Sequence, residues 1–252
     1  MTVCDGDAVE FEPIGPRRAF EGAVEQIAQR IRQGDLAEGD RLPSERQLAE
    51  AMRISRPTLR EAVKVLARAG VLEVHPGATG GIFVASDYVP IELLRQESDV
   101  RLAEVAGVLE ARRLLEPQVA RFAAQNAREA DFERMQLTIE AHKQLLRSGD
   151  PLDREDRFLQ LDMQFHLRMA EATGNPTVVG LMRSLLRALE IGRDLALRQP
   201  PIPEWVVEIH TRTLAALRAG EPAEITAVMD EHLGGMERAW EAETGRELRR
   251  LG

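Results

Sequence analysis

The chain has 252 residues and a formal net charge of −9, with 44% hydrophobic and 30% charged residues. This composition is typical of a globular protein with one large domain or two ordinary ones. No apolar run approaches the roughly 20 residues that a membrane helix needs, and we expect no secretion signal. The single cysteine excludes an intrachain disulfide framework and suits a reducing compartment, so we expect a cytoplasmic protein, and the lack of a long apolar run predicts no membrane partner.

The N-terminal residues predict an arm followed by a helix. Residues 1–16 contain four acidic residues and two prolines, which is typical of a flexible arm. From Arg17 to Gln33, apolar residues recur at spacings of three and four, as they do on the buried face of a helix. Gly34 then marks the end of this helix.

The next segment predicts two short helices joined by a tight turn. Ser44 and Gln47 form a capping-box pattern at the start of the first helix. The second helix runs from Arg56 to Ala69, with Ser55 as its N-cap, and basic residues cluster at its positive end. Although the whole chain is acidic, residues 17–86 contain 11 Lys and Arg against 9 Asp and Glu. A recognition helix contacts phosphates and base edges with basic side chains at its N-terminal end, so we predict binding to double-stranded DNA.

Two short strands and a glycine-rich turn follow this recognition helix. Val71 to Val74 and Ile82 to Ala85 predict the strands, and the residues between them have the composition of a hairpin turn. Three helices and a hairpin are the layout of a winged helix-turn-helix domain, which we assign to residues 17–86. Residues 87–99 are the predicted linker.

The remaining residues, 100–249, have a helical pattern that is rich in Leu, Ala, Glu and Arg. Five breaks divide this region into about six helices. They fall near Arg128, Gly149, Gly174, Pro200 and Gly220. Short connections between helices predict a compact antiparallel bundle. The predicted fold class is therefore mostly α, with an N-terminal winged helix-turn-helix and a C-terminal antiparallel all-α bundle.

Four side chains of the predicted bundle are candidates for a metal site. Asp162 and His166 are four residues apart, so on a helix they face the same way. His210 and His232 each lie next to apolar residues that predict a buried face. The nitrogen and oxygen atoms of these side chains suit a divalent transition metal ion such as zinc, nickel, iron or manganese. The alternative is that each histidine is a hydrogen-bonded core or boundary residue that binds no ligand.

Arg112 is a candidate for binding an anion. It lies on the first predicted helix of the bundle, and a guanidinium matches a carboxylate in a two-point fork. The alternative is a surface charge that pairs with Glu110 or Glu116. His75 and His142 lack partners in the pattern, so we predict surface or turn positions for both.

The motifs of the first domain resemble those of the GntR family of bacterial transcription regulators. The matching segments are Leu42-Pro43-Ser44-Glu45-Arg46, Ser55 to Ala62, and the glycine-rich hairpin that ends in Phe83-Val84. The helical half is similar to the FCD ligand-binding domain of the FadR-type subgroup. That similarity is carried by an ordered set: Asp162, His166, Gly174-Asn175-Pro176, His210 and His232. The resemblance covers about residues 17–240.

The resemblance implies functional roles for particular residues. It implies DNA contacts from Arg46, Arg56, Thr58 and Arg60, and from Gly77 at the wing tip. It also implies that Asp162, His166, His210 and His232 hold a metal ion and that Arg112 faces the effector. The wing departs from the family pattern, because Ala78 and Thr79 stand where a basic residue is frequent, and we expect the wing to lack this charged contact.

Three hypotheses about function follow. The first is a homodimeric regulator, a repressor, that binds operator DNA and responds to a small carboxylate effector at a metal-containing pocket. The second is a metal sensor, in which the ion itself is the signal. The third is a metal-dependent enzyme fused to a DNA-binding head, although no general base is evident beside the candidate ligands. We favour the first hypothesis and predict that the protein is not an enzyme.

Overall fold

The computed structural model describes residues 16–77, 80–90, 93, 102–148, 154–196 and 203–249. The chain divides into two compact units. The first contains the residues up to Ile31 together with Leu36–Asp87, and the second contains Arg32–Asp35 together with the chain from Tyr88 onward. The chain therefore passes between the units three times.

The first three helices are α1 (Pro16–Arg32), α2 (Glu45–Met52) and α3 (Arg56–Arg68). Two serines begin α2 and α3. The Ser44 side chain accepts from the backbone N–H of Gln47 in a complete capping box, and Ser55 accepts from the N–H of Thr58. Three apolar residues of α3, Leu59, Val63 and Leu66, are buried, which leaves its polar side exposed.

The hairpin after α3 consists of β1 (Leu72–His75) and β2 (Gly81–Val84), which pair antiparallel. Leu72 lies opposite Val84 and both are buried, so this end of the hairpin packs into the core of the first unit. The loop at the other end is the predicted wing, of which Ala78 and Thr79 lie outside the described residues.

The second unit is a bundle of six helices in the described part of the chain. They are α4 (Leu102–Asn126), α5 (Glu129–Ser148), α6 (Arg154–Glu171), α7 (Pro176–Ala196), α8 (Pro203–Ala219) and α9 (Pro222–Thr244). Helix α6 packs against α4, α5 and α7. Its residues Phe165 and Met169 belong to one buried apolar cluster, and Met163 and Leu167 belong to another. This central position turns Asp162 and His166 of α6 toward the inside of the bundle, where both are buried.

The predicted fold class is confirmed, with a winged helix-turn-helix followed by a helical bundle. Helix α3 begins at the predicted residue, Arg56, and each strand boundary is within one residue of the prediction. The predicted acidic arm, except Pro16, lies outside the described residues, as does most of the predicted linker. None of the described helices has the length and apolar character needed to cross a membrane.

Candidate functional site

The N-terminus of α3 presents three of the residues predicted to contact DNA. The side chains of Arg56 and Arg60 are 56% and 53% exposed, so both are available to an outside partner. Thr58 lies between them, and its hydroxyl is 2.7 Å from that of Ser55. Arg46, on α2, is also exposed and pairs with Glu50 at 3.2 Å.

Glu45 connects the two arginines of α3, a contact that the sequence pattern did not indicate. Its Oε2 atom lies 2.8 Å from Nε of Arg60 and 3.8 Å from Nη2 of Arg56. Such exposed ion pairs contribute little to stability, because water screens them. Their effect here is to hold both guanidinium groups on the same side of the helix tip.

The wing carries Gly77 at its exposed end, with a φ of 101° that favours glycine. A basic residue from outside the hairpin lies at the base of the wing. Arg41 donates to the carbonyl of Gly80 at 2.5 Å, and its guanidinium lies 5.8 Å from the ring centroid of Phe83. A guanidinium therefore stands beside the wing although the predicted wing segment itself lacks a basic residue.

A cluster of buried histidines lies inside the bundle. His166 on α6, His210 on α8 and His232 on α9 each place one ring nitrogen within 4.8 Å of the other two. Asp162, one helical turn before His166, places Oδ1 3.3 Å from Nε2 of His210. Three helices thus bring together the four residues that were predicted as metal ligands.

The environment of His232 determines which of its nitrogens is free for an ion. The hydroxyl of Thr213 donates to the carbonyl of Ile209 at 2.8 Å, so it accepts from Nδ1–H of His232 at 3.1 Å. Nε2 of His232 therefore keeps its lone pair. This is the arrangement in which a second residue orients a histidine ligand.

A buried ion pair lies next to His166. Nε of Arg112 is 2.5 Å from Oε1 of Glu116, and both side chains are buried. Nη2 of Arg112 also donates to Nε2 of His166 at 3.1 Å, and Nδ1 of His166 is 2.8 Å from Oε2 of Glu116. Burial alone would raise the pKa of Glu116, but the charge of Arg112, acting together with His166 and with hydrogen bonds from both residues, outweighs it and holds this pKa well below its ordinary value.

Burial also lowers the pKa of two of the imidazoles. It lowers the pKa of His210 to about 4, against the opposing effect of Asp162, and it lowers the pKa of His232 well below the ordinary value. Both rings are therefore neutral at neutral pH, which is the form that binds a metal ion. The ring of His210 stacks on Phe165 at a centroid distance of 4.0 Å, which fixes its orientation.

The histidine cluster fits a divalent transition metal ion. Three imidazole nitrogens and one carboxylate oxygen form a donor set that such ions bind. Nitrogens bound to one tetrahedral zinc ion lie about 3.4 Å apart, so the ring nitrogens here, which lie within 4.8 Å of one another, need to approach by up to about 1.4 Å. An ion bound through Nε2 of His166 needs the lone pair that now accepts from Arg112.

A cavity of about 20 Å³ adjoins the histidines, enough for one water-sized occupant. It is lined by Arg112, Asp162, His166 and His232 on one side and by Phe158, Trp205, Val206, Ile209 and Met236 on the other. The ring of Trp205 lies against the backbone of α9, where a Cβ on Gly235 would come within 2.2 Å of it. Glycine at this position therefore allows Trp205 to form one wall, and a larger ligand requires a wall to move.

One prediction and one alternative about this region were wrong. His142 is buried on α5, not on the surface; its Nε2 is 3.0 Å from the carbonyl of Phe158 and its ring is 5.5 Å from that of His210. The signal that could have placed it is the buried residue Ile139, three positions earlier on the same helix face. The alternative of a surface Arg112 is also wrong, because its partner Glu116 is buried with it. His75 is exposed, as predicted.

Comparison with protein families identifies both halves of the chain. A model described as bacterial regulatory proteins, gntR family, matches residues 20–84. A model of the FCD domain matches residues 107–235, which is about half of the chain. The first match contains α2, α3 and the hairpin, and the second contains Arg112, Asp162 and the histidine cluster.

Individual relatives match over nearly the whole length. The chain is 28% identical over 242 residues to the HTH-type transcriptional repressor NanR of Klebsiella aerogenes, covering 94% of this chain and 91% of that protein. It is 27% identical over 245 residues to NanR of Escherichia coli strain K12, covering 94% and 90%. Among solved structures, Streptococcus agalactiae GntR matches with a TM-score of 0.45 and 25% identity, over 87% of this chain and 99% of that one.

Proposed function

Because the chain belongs to the gntR family of bacterial regulatory proteins and carries an FCD domain, we propose that it is a cytoplasmic repressor that senses a small organic acid at a metal-containing pocket. Membership of this family places it among gene regulators and not among enzymes. The observation that carries the proposal is the position of Arg112, buried beside three histidines and Asp162 at one cavity. The relatives named NanR are repressors, which supports repression and not activation as the direction of regulation.

In this proposal, residues 17–86 read operator DNA. Arg56 and Arg60 would reach guanine edges in the major groove, because a guanidinium pairs with O6 and N7 of guanine. Arg46 and Thr58 would contact the backbone or neighbouring bases, and Gly77 would approach the minor groove. The exposure of both α3 arginines at a helix N-terminus supports these roles.

In the same proposal, residues 100–249 form the sensor, and charge balance supports a carboxylate effector. An ion held by Asp162, His166, His210 and His232 would supply a Lewis acid for a carboxylate oxygen. With neutral imidazoles, the ion and Arg112 bring three positive charges, while Asp162 and Glu116 bring two negative ones. One carboxylate would cancel the remaining charge, which is costly to leave unpaired in a buried pocket. Arg112 would then donate to this carboxylate in place of His166.

We propose further that the protein is a homodimer joined through an apolar face of the bundle. Leu114 and Phe122, which lie on one face of α4, are 51% and 42% exposed, and Leu181 on the neighbouring helix α7 is 57% exposed. Large apolar side chains that stay exposed on neighbouring helices are typical of interaction surfaces. A second copy is the occupant that function requires, since helix-turn-helix domains read paired half-sites as dimers.

Phe122→Asp is expected to convert the dimer into a monomer, because a charge on this face would be desolvated at the interface. Light scattering after size exclusion would show half of the wild-type mass, and operator affinity would fall by about 100-fold as the two heads lose their linkage. Leu137→Asp is the matched control, since Leu137 is an exposed leucine on α5, and it should remain dimeric. A Phe122→Asp protein with the wild-type mass would contradict this interface.

Fluorescence anisotropy tests the proposed function, with full-length protein loaded with Zn²⁺ and DNA from upstream of its own gene. We expect sequence-selective binding, weakened by about 5- to 150-fold by at least one acid from a panel of aliphatic, aromatic and sugar acids. Tryptophan emission reports binding of the acid, because Trp205 lines the cavity; Trp205→Phe identifies its share against the second tryptophan, Trp240. Absence of selective DNA binding at low salt would reject a regulator. If Zn²⁺ alone changes DNA affinity and no acid adds to it, the protein is a metal sensor.

A further inference from the structure

Helix α6 carries two rows of side chains on opposite sides. The row that faces the histidine cluster contains Asp162 and His166. The other row repeats every four residues and is polar: Asp156, Gln160, Gln164 and Arg168. The two rows are displaced by two residues, which at roughly 100° per residue is about half a turn around the helix.

The C-terminal half of the polar row holds the segment Arg32–Asp35, which belongs to the same unit as α6. Nε2 of Gln164 donates to the carbonyl of Arg32 at 2.7 Å, and Nη2 of Arg168 donates to the carbonyl of Gly34 at 2.9 Å. Gly34 has a φ of 73°, and a Cβ there would lie 2.4 Å from Nη2 of Arg168. The close approach of this arginine therefore depends on glycine at position 34.

The N-terminal half of the polar row holds a second segment, which begins at Tyr88. The Tyr88 hydroxyl donates to Oδ2 of Asp156 at 3.2 Å, and Oε1 of Gln160 accepts from the backbone N–H of Val89 at 3.2 Å. Arg32 joins the two segments, because its guanidinium pairs with Asp156 at 2.6 Å and also donates to the carbonyl of Val89.

These two segments contain every point at which the chain leaves the helical unit for the first unit. Arg32–Asp35 lies between Ile31 and Leu36, and Tyr88 follows Asp87. Helix α6 thus contacts the candidate ion site with one side. With its other side it contacts the two segments that contain the three crossings, the points at which the chain passes between the units. No other helix in the described part of the chain carries two of the candidate ligands.

We propose that α6 transmits occupancy of the histidine site to these three crossings, with Gln164 and Arg168 as the positioning residues. This inference rests on the proposed function and names the route of its regulation. Closure of Asp162 and His166 toward His210 and His232 moves α6, because a packed helix shifts as one body. A shift of about 1 Å is enough to break hydrogen bonds of 2.7 to 2.9 Å on its far side.

Hydrogen–deuterium exchange on the full chain, with and without saturating Zn²⁺, tests the relay. In the wild type, we expect Zn²⁺ to change amide exchange in residues 32–36 and 88–89 by about threefold or more. In Gln164→Met/Arg168→Met, Zn²⁺ should bind within about twofold of wild-type affinity, yet exchange in residues 32–36 should no longer respond. The ion pair between Arg183 and Asp35, at 2.7 Å, keeps the segment attached in this variant.

The control is Gln136→Met/Arg134→Met, which removes the same two side chains from α5 and should keep the wild-type response. If the double variant does not fold, Gln164→Met alone should reduce the response, since it removes the 2.7 Å bond to Arg32. Wild-type protein that binds Zn²⁺ without any change in these segments would overturn the relay, as would a full response in the double variant. Wild-type protein that binds no Zn²⁺ would instead overturn the metal-containing pocket of the proposed function, and the relay with it.

Discussion

Replacing Arg56 or Arg60 with alanine is expected to abolish most sequence-selective DNA binding. Each guanidinium that pairs with a guanine edge contributes about 1–3 kcal/mol, which corresponds to about 5- to 150-fold in affinity per residue. Both arginines are exposed at the positive end of α3, so their removal should leave the fold intact. Anisotropy with the protein's own upstream DNA, compared with scrambled DNA of the same length, measures the loss of discrimination.

Arg212→Ala is the matched control for these arginines. Arg212 is a similarly exposed arginine on α8, in the unit that does not contain α3, and it pairs with Glu231 at 2.7 Å. We expect its affinity for DNA to equal that of the wild type. If Arg56→Ala and Arg60→Ala bind the upstream DNA as the Arg212→Ala protein does, then α3 is not the recognition helix.

Zn²⁺ is expected to stabilise the wild-type protein strongly, and this effect should vanish when a buried histidine is removed. An ion at 100 times its dissociation constant contributes about 2.7 kcal/mol. For a chain of this size, that corresponds to a rise of roughly 5–11 °C in the melting temperature. His210→Ala and His232→Ala each remove one of three imidazole donors, so neither melting temperature should respond to Zn²⁺. Calorimetry of each variant against its own metal-free form makes the test independent of basal stability.

His75→Ala is the control that shows whether the loss of the Zn²⁺ response is specific to the buried histidines. His75 is exposed on the hairpin, where it contacts Glu73, and its removal should leave the full Zn²⁺ response. Addition of a chelator should return the wild type to its metal-free melting temperature. A full Zn²⁺ response in His232→Ala would show that the ion binds elsewhere, and the charge argument for a carboxylate effector would then fall as well.

Arg112 is the residue through which we expect an effector to act at the metal-containing pocket. In the structure it donates to His166 and Glu116 inside the bundle, so no water-exposed partner satisfies it. Removal of one partner from a buried ion pair of this kind is costly, because the other charge is then buried without compensation. An arriving carboxylate would give Arg112 a new partner. A change of partner at Arg112 would therefore accompany occupancy of the pocket.

Local patterns in the sequence determined the element types and the outline of both halves. Ser44 and Ser55 mark helix starts through hydrogen bonds that span only three residues, and glycine and proline mark the ends. The spacing of Asp162 and His166 shows that they share a helix face. These features depend on neighbours close in sequence, so a single chain is enough to read them.

Only the tertiary structure decided which faces meet. Helical periodicity places a residue such as His210 beside apolar residues, but it does not show which other helix covers that face. The burial of Glu116 with Arg112, the wall formed by Trp205 on Gly235, and the convergence of His210 and His232 all depend on packing between helices far apart in sequence. The polar row of α6 is visible in the sequence as a spacing of four. Its partners, the backbone carbonyls of residues 32 and 34, have no side-chain signature, because every residue carries the same carbonyl group.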